Sequence, residues 1–152
     1  MSKRILISSF AAAVVVGGIA AGGFAMASSS SASSAPALSD SSARYTAPAG
    51  GGAGSLTFTT DVWDDSGVKG LKVLAWPASS KLDPTEAELR SVDSAECRST
   101  SDETSRCTYT LKITEKEESG VDRGTWHIST LATAEDGDTT FVSRAAAFEI
   151  TG

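Results

Sequence analysis

From Leu56 onward, apolar and polar residues alternate with a period of two. Leu56, Phe58, Thr60 and Val62 interleave with Thr57, Thr59, Asp61 and Trp63, the pattern of a strand buried on one face. Asp64-Asp65-Ser66-Gly67 follows with residues suited to a tight turn. Residues 68–76 place Leu71, Val73 and Ala75 on one face; Gly70 suggests a bulge and Pro77 ends the run. Tyr109, Leu111 and Ile113 alternate with Thr108, Thr110 and Lys112. Trp126, Ile128, Thr130, Ala132 and Ala134 alternate with His127, Ser129, Leu131 and Thr133. After the turn Glu135-Asp136-Gly137-Asp138, a last strand over about 140–150 sets Ala146, Phe148 and Ile150 on one face. A first short strand is expected at 44–47, before the glycine-rich stretch 49–54. Only residues 84–92 read as helical. Asp83 is the expected cap, Pro84 suits the first helical position and Glu86 completes a capping box, with Leu82, Leu89 and Val92 turned inward. One short helix among five or six strands predicts an all-β antiparallel sandwich with one short helical insertion.

The N-terminal pattern is different. Lys3 and Arg4 precede an uncharged stretch from Ile5 to Ala27, which ends in the small-residue tripeptide Ala25-Met26-Ala27 and a run of four serines. That layout predicts a signal peptide over residues 1–27, cleaved after Ala27. The rival is an uncleaved anchor; four glycines and a good cleavage tripeptide favour removal, which leaves no membrane insertion. In either case the remainder lies outside the membrane. Residues 28–43, mostly Ser and Ala, read as a flexible linker, so the folded domain is expected over 44–152.

Composition then narrows the classes. Two-thirds of the first 27 residues are apolar but only about a third of the other 125, low for a globular core. Loss of Lys3 and Arg4 leaves 11 basic against 19 acidic residues, a net charge of −8. A length of 152 residues with its apolar excess confined to the first 27 argues against a large enzyme and a multi-pass membrane protein, and an acidic exported domain repels nucleic acid.

Several stretches resemble a known group. Phe58-Thr59-Thr60-Asp61-Val62, Gly124-Thr125-Trp126-His127-Ile128 and Ala132-Thr133-Ala134-Glu135-Asp136-Gly137 look like bacterial immunoglobulin-like modules. With Leu71-Lys72-Val73-Leu74-Ala75-Trp76-Pro77 and Ser105-Arg106-Cys107-Thr108-Tyr109-Thr110, nearly the whole chain resembles an uncharacterised family of small secreted actinobacterial (streptomycete) proteins, a domain of unknown function. The resemblance implies export and an immunoglobulin-like sandwich, and it brings no activity with it.

Candidate chemistry is sparse. Cys97 and Cys107, the only cysteines, read as one disulfide in an exported chain, pinning a loop rather than the core. His127, the only imidazole, sits mid-strand without a nucleophile elbow, so no catalytic residue is assigned. The acidic turns, with Asp61, Asp64 and Asp65 in one and Glu135, Asp136 and Asp138 in the other, stand to meet at one end of the sandwich. Their oxygens would suit calcium, but turn chemistry accounts for the same residues, so no metal and no cofactor are assigned. Glu115, Glu117 and Glu118 read as a solvated loop edge. Trp63, facing away from Phe58 and Val62, is the expected exposed aromatic; with Asp64, Asp65, Asp136 and Asp138 it forms the candidate binding set.

The function expected is non-enzymatic binding of an extracellular protein or a cell-wall glycan, by a secreted chain. A second reading is an exported inhibitor or accessory factor that docks the Cys97–Cys107 loop into another secreted protein. A third is a hydrolase with an unrecognised carboxylate site.

Overall fold

A computed structural model describes residues 33–151; the predicted signal peptide and the start of the predicted linker lie outside them. Among the described residues seven antiparallel strands run in the order β1 (Ala37–Thr46), β2 (Gly54–Trp63), β3 (Val68–Pro77), β4 (Glu96–Ser99), β5 (Thr104–Ile113), β6 (Gly124–Ala134) and β7 (Thr139–Ile150). They form a four-stranded sheet, β1-β2-β5-β4, and a three-stranded sheet, β3-β6-β7. In strand order this is the four-plus-three arrangement of an immunoglobulin constant-type sandwich. The alternation holds at the inner faces. Leu56, Phe58, Thr60 and Val62 of β2 are buried and meet Leu71 and Val73 of β3, Ile128 and Ala132 of β6, and Phe148 and Ile150 of β7. The bulge expected at Gly70 is present as a register shift between Val68 and Gly70.

The linker is shorter than expected. Residues 37–43 belong to β1, which pairs with β2 from Ala37 opposite Trp63 to Thr46 opposite Ser55. Leu38, Ala43 and Tyr45 pack against the core, and the strand also serves Thr60, a hydroxyl on the core face that must find a partner. It donates to the Ser39 carbonyl at 3.0 Å and shares a hydrogen bond with the Ser41 hydroxyl at 2.8 Å. A bulge between Ser39 and Ser42, with Asp40 at φ +51°, brings both groups to it. Small polar side chains made this segment look like a tether, yet one of them, Ser41, is a partner of the buried hydroxyl.

The helical elements also differ. Among the described residues there are two, each one turn long: α1 (Glu86–Leu89) and α2 (Glu115–Glu118). The cap of α1 is Thr85 with Glu88, not Asp83 with Glu86. Thr114 with Glu117 caps α2 in the same way, so the expected loop edge at 115–118 is a helical turn. Both carry the Thr-x-x-Glu spacing in which hydroxyl and carboxylate exchange hydrogen bonds with each other's backbone amides. α1 packs on the outer face of the three-stranded sheet, where Leu89, Trp76 and Leu131 are buried. Leu82, expected inward, is exposed, and Val92 is half-buried.

Cys97 and Cys107 form the disulfide, directly opposed on β4 and β5. The bridge closes the β4–β5 hairpin, the loop it was expected to pin, but it touches the core as well: Cys107 is fully buried within the core cluster, because it stands on the inward row of β5. The bridge lies within one sheet, unlike the inter-sheet bridge of antibody domains. Replacing both cysteines by alanine is expected to lower stability by about 2–3 kcal/mol, from the entropy of the ten-residue loop it closes, as read from denaturant midpoints. A chain beginning at residue 44 is expected to unfold at lower denaturant than one beginning at residue 33; equal midpoints would return residues 33–43 to the status of a tether.

Candidate functional site

Two regions differ from an ordinary sandwich surface, one at each end of the strands. At one end three turns interlock. The Asp64 amide donates to the Glu103 carbonyl at 2.9 Å, the Glu135 amide to the Gly67 carbonyl at 3.0 Å, and the Asp136 amide to the Ser66 hydroxyl at 3.2 Å. Gly67 and Gly137, at φ +98° and +97°, take the left-handed conformations that let these turns close. The interlock brings most of the expected binding set together: one carboxylate oxygen from each of Asp64, Asp65 and Asp136 lies within 4.8 Å of the other two. Asp64 is wholly buried, whereas Asp65 and Asp136 are exposed. Asp138 stands outside the triad; its amide donates to Asp136 Oδ1 at 3.0 Å and its carboxylate accepts from the Ser33 hydroxyl. Trp63 is 40% exposed, as its place in the alternation required, and its indole N–H donates to Glu103 at 3.2 Å.

Asp61 is drawn away from this group. Arg106, directly opposite on β5, donates to both of its carboxylate oxygens at 2.8 and 2.6 Å. The paired hydrogen bonds, with the guanidinium charge behind them, hold the Asp61 carboxyl below its ordinary value.

At the other end the two sheets part. β4 pairs with β5 only as far as Thr108; beyond it β2 still lines one edge of β5, but among the described residues no strand lies along the other edge at Tyr109–Ile113. The outer edge of β3 is met only near Leu71 to Val73, by residues 93–95. Between these edges lies a cleft of about 370 Å³ lined by Val73, Tyr109, Leu111, Ile113, Trp126 and Phe148, among others. Leu111 stands on the inward row of β5 yet is 43% exposed. Tyr109, half-buried there, has its phenol pushed up, first by burial and then by the Asp93 charge. Trp126 stacks on Phe148 at 6.1 Å between centroids, with its N–H tied to the Asp122 carbonyl at 2.9 Å. The alternation named these residues as core. Nothing in it showed that β4 would stop after four residues and leave them uncovered.

His127 is half-buried on the outer face of the three-stranded sheet, its ring 4.9 Å from that of Trp76. Trp76 in turn donates to Ser129 Oγ at 2.8 Å, and the Arg144 guanidinium lies 5.9 Å from the Trp76 ring centroid. The Ser129 hydroxyl donates a hydrogen bond to the Ser143 carbonyl at 2.7 Å. The imidazole is thus part of the packing on that face.

A family model matches residues 38–132, from the second residue of β1 into β6. The chain belongs to DUF5707, a family of unknown function. No curated protein and no solved structure matches it. The DUF5707 match starts six residues before the expected domain boundary at 44, which agrees with β1 being part of the fold. Membership carries no activity to either end of the sandwich. Among the described residues no helix is long and apolar enough to cross a membrane.

Three carboxyls, the half-buried Asp61 and the exposed Glu88 and Glu117, are held below their ordinary values: the first chiefly by Arg106, the other two by backbone and hydroxyl hydrogen bonds from Thr85 and Thr114. A depressed carboxyl adds stability above its unfolded pKa and loses it as pH falls through its folded value. The unfolding midpoint is therefore expected to fall as pH drops below about 4.5. Asp61→Asn should flatten part of that slope, and a slope unchanged by the substitution would remove Arg106–Asp61 as a contributor.

Proposed function

We propose that this DUF5707 chain is a non-enzymatic binding module of the cell exterior, holding an extended segment of a protein partner at the open end of its sandwich. The observation that carries the reading is Leu111: an inward-row residue of a core strand, paired with β2 on one side yet 43% exposed, where β4 has stopped short on the other. The unpaired edge of β5 offers backbone donors and acceptors to an added strand, and the cleft beside it offers room for that strand's apolar side chains. Export is part of the proposal. It rests on the N-terminal charge and apolar pattern, and a formed disulfide fits an oxidising compartment.

The inhibitor reading has its own support. The disulfide stands at the base of the β4–β5 hairpin, whose tip, 100–103, is wholly exposed. That tip is braced by the Thr100 amide to the Thr104 carbonyl at 2.8 Å and the Thr104 amide to Ser101 Oγ at 3.1 Å. The cell-wall glycan reading rests on Trp63 alone.

The purified chain, immobilised, is exposed to culture supernatant and to cell-wall extract. A retained protein is expected that Leu111→Asp releases and Trp63→Ala does not. Loss with Trp63→Ala alone would transfer the reading to a glycan. Retention indifferent to Leu111→Asp but lost on reduction of the disulfide would transfer it to the hairpin.

A further inference from the structure

We propose that Asp64, Asp65 and Asp136 form a site for a hard divalent cation, calcium in particular, at the interlocked end of the sandwich. The site is separate from the cleft and independent of what the cleft holds. Two oxygens each bound at about 2.4 Å to one ion lie at most about 4.8 Å apart. That is the limit within which one oxygen from each of these three carboxylates falls.

Proximity of acids alone would be ordinary at tight turns. The further observation is the Asp64 side chain, which is wholly buried. Its Oδ1 accepts from the Ser66 amide at 2.8 Å and the Ser66 hydroxyl at 2.6 Å, which is all that the turn requires. Its Oδ2 is buried as well and has no hydrogen-bond partner among the described residues. A carboxylate oxygen removed from water without a partner is costly, and a cation is the partner that removes the cost. Among the described residues none of the three carboxylates is in a salt bridge, and Arg106, the cation on the neighbouring strand, is engaged by Asp61. The site therefore keeps three negative charges.

The other two ligands are already oriented by neighbours. Asp65 Oδ1 accepts from the Ser34 hydroxyl at 3.3 Å, and Asp136 Oδ1 accepts from the Asp138 amide at 3.0 Å. Calcium suits this set better than magnesium. It tolerates an irregular shell of six to eight oxygens, completed here by water, whereas magnesium demands a near-octahedral one. The two turns are 72 positions apart in sequence at Asp64 and Asp136, so an ion between them would clasp β2–β3 to β6–β7.

Calcium is titrated calorimetrically into the purified full chain, and thermal unfolding is followed in chelator and in 10 mM calcium. One ion per chain is expected, with a dissociation constant on the order of 10⁻³–10⁻⁴ M, as in other extracellular modules. The midpoint should rise by about 5 °C or more with calcium, and by less with magnesium. Asp136→Asn and Asp65→Asn, both at exposed positions, should abolish binding and the rise while leaving the midpoint in chelator unchanged or higher. Asp64→Asn should abolish the rise and raise the midpoint in chelator, since it removes a buried charge. No heat and equal midpoints for the wild-type chain would overturn the proposal, as would a calcium-dependent rise that survives Asp136→Asn.

Discussion

The constraint on which the structure turns is the interlocking of three loops at one end of the sandwich. Asp64 binds the β4–β5 loop through Glu103, while Gly67 and Ser66 bind the β6–β7 turn through Glu135 and Asp136. One turn, between β2 and β3, thereby holds both sheets. The disulfide adds a covalent link toward the same end, since Cys107 lies opposite Thr60 near the finish of β2. At the far end, around Leu56, Ile113 and Ile150, the cleft opens. The asymmetry follows from where the backbone partners are: one end has turns long enough to meet, and the other has a four-residue β4 that stops short.

The same arrangement shows how a sparse core is made sufficient. Ala, Thr and Ser fill many inward positions, so burial per residue is modest and polar atoms are carried inside. Most are given partners: Thr60 by the β1 bulge, Ser129 by Trp76 and the Ser143 carbonyl. Each such pair adds little net free energy but would cost more if left unmade, so these hydroxyls act mainly as determinants of register. A second small core under α1, with Leu89, Trp76 and Leu131, buries both faces of β6. It is this second layer, rather than solvent, that receives His127.

Period-two alternation was the most legible part of the sequence. It marked β2, β3, β5, β6 and β7, the inward rows of β2 and β3, and the exposed face of Trp63. It failed where the physical signal changes kind. β1 packs Leu38, Ala43 and Tyr45 against the core, but a bulge at Asp40 interrupts their periodicity. β4 is four residues of edge strand with a half-buried Cys97 and no apolar row. The two helical turns did carry a readable sign, since Thr85-Glu86-Ala87-Glu88 and Thr114-Glu115-Lys116-Glu117 share one capping spacing. Pro84 drew the first cap to Asp83, and the acidic cluster masked the second.

By itself the sequence determined the all-β class, the pairing of the only two cysteines, the acidic turns and the aromatic left outside at Trp63. These are local properties: side-chain period, residue type at turns, a count of thiols. Only the tertiary structure decided which of the acids meet and which row of apolar residues stays uncovered. Asp61 was claimed by Arg106 across the β2–β5 pair, while Asp136 reached Asp64 because the sheets stack at that end. Leu111 has the sequence of a core residue and the surroundings of a cleft residue. Burial depends on where a neighbouring strand ends, and that is fixed by pairing between segments far apart along the chain.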